Sequence, residues 1–206
     1  MTKNNFKCKL HDMNLKLKMK GINFTITNLL AFLCILVTTI AFIKPELYLY
    51  GINSFFYSIG DYPKVLLQFF TGTFLHGGVF HLFMNMVFLV YFGNIVEEMM
   101  GKTKFSFFFI FVALFEGLAI LFLGEGNTVG ISGFNLAILT YYALRLYETR
   151  HPEFQSAMVV IIINIMIGFT PGISLLGHSF GALGGLIFYY LLNKNLPFDF
   201  EDFTKK

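Results

Sequence analysis

The sequence predicts an all-α membrane protein built from six apolar spans, and three observations lead there. Hydrophobic residues make up 56% of the 206-residue chain and charged residues 13%, about half the ~25% of a soluble domain; the mean hydropathy is +0.68. The apolar residues come in long runs separated by short polar or Gly/Pro clusters, the pattern of a polytopic chain. The basic residues are also unevenly spread. Counting the segments between the six runs alternately, thirteen Lys and Arg fall on one side and only Lys44 and Lys64 on the other, which by the positive-inside rule puts both termini in the cytoplasm.

The net charge of +3 is small and no basic-aromatic surface points to nucleic acid. Cys8 and Cys34 offer neither a disulfide framework nor metal-ligand spacing. With 28 Phe and no Trp, anchoring at the membrane interface falls to Tyr and Lys.

Residues 1–24 form a polar, Lys-rich tail (Lys3, Lys7, Lys9, Lys16, Lys18 and Lys20). No small-residue cleavage site follows the next apolar run, so a cytoplasmic tail ahead of a retained helix is expected rather than a signal peptide. Leu15, Leu17 and Met19 alternate with lysines and could rest on anionic lipid; a solvated tail is the simpler reading. Residues 25–193 carry the spans, at about 26–43, 74–96, 105–123, 131–146, 154–169 and 173–192. Lys44-Pro45-Glu46 ends the first. The loop 44–73 is semi-apolar, with Tyr48, Tyr50, Phe55, Phe56 and Tyr57, and is expected to lie in the interface. Glu97, Glu98 and Gly101 close the second span, Gly124-Glu125-Gly126-Asn127 marks a turn after the third, and Thr170-Pro171-Gly172 stops the fifth. Residues 194–206 form a second cytoplasmic tail.

Polar groups at membrane depth are functional candidates by default, and His81, Asn85, Ser132 and His178 stand out. Ser132 sits in Gly130-Ile131-Ser132-Gly133 at the start of the fourth span, where unpaired backbone N–H groups and the helix dipole suit a developing oxyanion. Alone the motif is weak, because Ser and Gly are also common where membrane helices pack closely. His178 lies near the start of span six, with Gly181 and Gly185 on the same face. If span four packs there, Gly133 and Ala137 are the matching small residues. Ser132 Oγ would then reach an imidazole acting as general base; the alternative is that His178 is one hydrogen-bonding group in a glycine zipper. His81 and Asn85, four residues apart, share a face of span two and with the Ser132 N–H form a candidate oxyanion site. His76, five before His81, would point about 140° away on a continuous helix, toward the loop. No H-E-x-x-H or accompanying carboxylate supports a metal site. All four aspartates fall outside the spans, which excludes an aspartyl dyad. Glu116, mid-span in the third helix, has no evident partner and no assigned role.

Together these residues resemble the rhomboid intramembrane serine proteases over about residues 67–190. Span two reads His76-x4-His81-x3-Asn85 and continues through Glu97 and Gly101; span four carries G-x-S-G; span six reads Gly177-His178-x2-Gly181-x3-Gly185. The resemblance, to the bacterial-type six-helix form, implies a bundle with a short central fourth helix and a water-filled cavity, in a bacterial cell membrane. It implies Ser132 as nucleophile and His178 as base in a dyad, His81 and Asn85 as oxyanion donors, His76 tying down the first loop, Glu97 bracing the helix ends, and no cofactor. The implied partners are transmembrane protein substrates cleaved in or near their membrane segments. Three positions depart from the family pattern: Leu67 and Gln68 stand where Trp-Arg is common in the first loop, and Leu136 replaces an aromatic that packs on the base, leaving Phe134 or another ring to take its place. A catalytically inactive binder of transmembrane clients is the alternative function. A transporter would require paired intramembrane charges and an internal repeat, which the chain does not display.

Overall fold

The computed structural model describes residues 24–124 and 126–193; the N-terminal tail up to residue 23 and the C-terminal tail 194–206 lie outside the described residues. The described residues are helical, with one isolated antiparallel bridge between Ile52 and Thr128. The main helices are α1 (Ile26–Ile43), α2 (Tyr62–Phe74), α3 (Val79–Met100), α4 (Lys102–Leu123), α5 (Ser132–Glu148), α6 (Phe154–Ile167) and α7 (Leu175–Asn193). Among them α1, α3, α4 and α7 are long and apolar enough to cross a membrane, and α5 and α6 are shorter, with 17 and 14 residues. The chain is an all-α integral membrane bundle.

α5 is its centre. Eleven of its 17 residues are buried, so its apolar residues face other helices where those of α6 largely face outward. Phe134 packs edge-on against Phe105, Phe108 and Phe109 of α4, and Phe108 stacks on Phe188 of α7 at 4.5 Å between ring centres. Such aromatic contacts add about 0.5–1.5 kcal/mol each beyond the area they bury.

The segment 44–73 is more ordered than a plain loop. A 3-10 turn (Pro45–Tyr50) and one helical turn (Phe55–Ser58) lead into α2, whose first turn is capped by Asp61. The second span, expected from residue 74, begins instead at Val79, because Gly77 and Gly78 break the helix after α2 ends at Phe74.

α3 contains a π-helical turn at Leu89–Gly93. Without it, Asn85 and Glu97 would point about 120° apart on a helix of 3.6 residues per turn. The extra residue turns the lower segment back by about 100°, and both side chains face the bundle. At that lower end the Glu97 carboxylate accepts from Ile26 N (2.9 Å), Thr27 N (2.8 Å) and Thr27 Oγ1 (2.8 Å). It thus caps the first turn of α1, whose N–H groups have no partner within the helix.

Candidate active site

At the opposite end of the bundle the chain enters α5 through a pinned turn. Gly130 has φ +125°, a conformation that L side chains rarely adopt. Its N–H donates to the Gly72 carbonyl at 2.9 Å, and the bridge between Ile52 and Thr128 holds the preceding strand-like segment. A Cβ on Gly130 would lie 2.8 Å from the His81 ring, so the glycine lets an imidazole lie directly on the turn. Ser132, partly buried, is the first residue of α5, among N–H groups that the helix leaves unpaired.

α5 and α7 meet backbone to backbone. A Cβ added to Gly181 would overlap the Gly133 carbonyl and stand 2.6 Å from its Cα, and one on Gly185 would stand 2.8 Å from the Ala137 Cα. One turn before Gly181, His178 is buried and its Nδ1 lies 2.7 Å from the carbonyl oxygen of Asn164 on α6. A carbonyl only accepts, so Nδ1 carries a proton, and in the neutral imidazole Nε2 is then the nitrogen with the free lone pair. Among the described residues no hydrogen bond joins Ser132 Oγ to this ring.

Below His81, Asn85 donates from Nδ2 to the His81 carbonyl (2.9 Å) and accepts at Oδ1 from Asn135 Nδ2 (2.9 Å). Asn135, three residues after Ser132, also donates to the Asn85 carbonyl at 3.2 Å. This clamp was missed in the sequence, although a polar residue inside the fourth span was there to be noticed. The Asn164 contribution had no such signal, because a backbone carbonyl carries no residue signature.

His76 does not turn away from His81. It precedes the helix, so the 3.6-residue rule does not reach it, and its ring packs edge-on against His81 at 5.1 Å. Its Nδ1 lies 3.2 Å from Thr38 Oγ1, and its carbonyl accepts from Tyr48 OH at 2.7 Å, which fastens the first loop here. Gln68, standing where the family pattern has Arg, is fully buried and donates from Nε2 to the carbonyls of Gly51 (2.7 Å) and Leu49 (3.2 Å). Thr71 Oγ1 donates to Tyr50 O at 2.7 Å. Phe134 does not supply the missing aromatic, because its ring is taken up by α4.

Residues 63–195 match the Rhomboid domain. The chain belongs to the rhomboid family. This rhomboid chain is 28% identical over 156 residues to RHOMBOID-like protein 6, mitochondrial, of Arabidopsis thaliana, covering 69% of this chain and 50% of that protein. It is 28% identical over 134 residues to a putative rhomboid protein of Acanthamoeba polyphaga mimivirus, covering 61% and 75%. It is also 24% identical over 153 residues to Inactive rhomboid protein 2 of Homo sapiens, covering 71% of this chain and 18% of that one. The chain spans half or less of the length of the first of these and of the human relative.

Proposed function

We propose that this rhomboid domain is a serine-type intramembrane endopeptidase that cleaves membrane proteins in or near their transmembrane segments, with both of its termini in the cytoplasm. Ser132 Oγ attacks the scissile carbonyl carbon, and His178 Nε2 takes the hydroxyl proton and returns it to the departing amine. Water then repeats the sequence on the acyl-enzyme, releasing the second product and restoring Ser132. The Ser132 N–H, His81 and the Asn85 amide hydrogen left free by the His81 carbonyl donate to the oxyanion.

One observation carries this reading: the Nδ1 contact from His178 to the Asn164 carbonyl. It does for this imidazole what an acidic third member does in a triad, fixing the tautomer that leaves Nε2 basic. That no hydrogen bond joins Ser132 Oγ to the ring among the described residues is compatible with it, since catalytic hydrogen bonds often tighten only when substrate binds. The same missing bond, with the match to an inactive relative, is what favours the second reading, a binder of transmembrane clients that does not cut.

Labelling by a fluorophosphonate probe in liposomes separates the two. Wild type labels, Ser132→Ala and His178→Ala do not, and all three remain folded. Asn85→Ala labels about 10²–10³ more slowly, as loss of one oxyanion donor does. A folded wild type that resists the probe leaves the binder reading in place.

A further inference from the structure

Glu116 of α4 is buried, and the peptidase chemistry above does not use it. Its carboxyl lies against two glycines. A Cβ on Gly133 would overlap all three carboxyl atoms, and a Cβ on Gly177 would stand 3.0 Å from Oε1. Gly133 directly follows Ser132, and Gly177 directly precedes His178. The carboxyl therefore occupies the space between the first turn of α5 and the first turn of α7, touching each helix beside its candidate catalytic residue. Ser174 completes the seat: its Oγ accepts from the Gly177 N–H at 3.0 Å and lies 3.2 Å from the same Cβ position.

We propose that Glu116 is a positioning residue, a wedge between Gly133 and Gly177 that sets the spacing of Ser132 from His178. This rests on the peptidase reading for its consequence, though not for its geometry. Gly133 is thus met on two sides: one turn along α7 Gly181 touches its backbone directly, while toward Gly177 the Glu116 carboxyl stands between the two helices and sets how far the His178 end of α7 lies from it. Glycine at 133 and 177 follows from the same arrangement, since a side chain at either would displace the carboxyl.

The test is the saturation kinetics of fluorophosphonate labelling, with thermal unfolding in detergent measured on the same proteins. Glu116→Gln keeps the shape and labels within a few-fold of wild type. Glu116→Ala loses about 10- to 100-fold in maximal labelling rate, the scale of a misplacement near 1 Å, with probe affinity unchanged. Gly177→Ala alone slows labelling by pushing on the carboxyl. In the Glu116→Ala background the added methyl refills part of the space, so the double variant labels faster than Glu116→Ala. A Glu116→Ala protein that labels at the wild-type rate overturns the wedge, as does a double variant whose losses multiply. If the probe never labels wild type, the peptidase reading falls by itself. The wedge is then decided by unfolding: the Glu116 and Gly177 substitutions couple in melting temperature, or their effects add and the wedge falls too.

Discussion

Glu97 and Glu116 lie in the same apolar bundle and both are buried, yet they are held in opposite ways. The Glu97 carboxylate takes three donors from Ile26 and Thr27, a saturated arrangement that closes one end of the molecule. The Glu116 carboxyl rests against the Cα faces of two glycines, and among the described residues shape rather than hydrogen bonding sets its place. An acid enclosed by donors resists separation from its partner, because leaving either side unpaired in an apolar medium is expensive. A wedge sets a distance. The closed end therefore governs stability, and the end carrying Ser132 and His178 governs geometry.

The largest effect expected from this contrast is at Glu97. Glu97→Ala strands the Ile26 and Thr27 donors and removes charge-assisted bonds worth about 1.5–3 kcal/mol each, so unfolding in detergent should become easier by about 3 kcal/mol or more. The fraction that remains folded should label with the fluorophosphonate as wild type does. A variant that melts normally but labels slowly would reverse the assignment of the two ends.

A smaller loss is expected where α5 and α7 touch. Gly181→Val drives a branched side chain into the Gly133 backbone, an overpacking of about 1–3 kcal/mol. Because the displaced residue neighbours Ser132, labelling should slow as well. Unchanged thermal stability would mean that the helices are held apart by something other than their backbones, and the wedge would lose its counterpart.

Much of this was legible beforehand, for identifiable reasons. The first apolar run coincides with α1, Ile26–Ile43, because Thr25 and Lys44-Pro45 are breakers that hydropathy and capping both register. Gly133 opposite Gly181 could be read because only small residues permit a close approach, and their spacing survives as sequence. The start of α3 could not, since Phe74 and Leu75 are as apolar as the span they were assigned to while the break is made at Gly77 and Gly78. The π turn was invisible for a related reason: an inserted residue changes the face of Glu97 without changing composition. At the site, His178 was visible but the Asn164 carbonyl that orients it was not, and Glu116 was visible as a buried acid without its two glycine neighbours. Contacts made through backbone atoms leave the weakest trace in a sequence.

Asp61 supplies the smallest effect and a control for both buried acids. It caps α2 by accepting from Lys64 N at 3.3 Å and pairs with Lys64 Nζ at 2.6 Å, but the Lys64 side chain is 44% exposed, and pairs open to solvent contribute little. The side-chain hydrogen bond from Lys64 holds the Asp61 carboxyl below its ordinary 3.8. A depressed value means that the contribution is present above the unfolded-state value and lost as pH falls through the folded one. Acidification through the carboxylate range should therefore loosen the first turn of α2, read as faster hydrogen exchange at the amides following Asp61. Asp61→Asn keeps a capping acceptor but cannot titrate, so it should not show that acid-dependent step. The same step in both proteins would place the acid sensitivity elsewhere in the first loop and detach it from the Asp61–Lys64 pair.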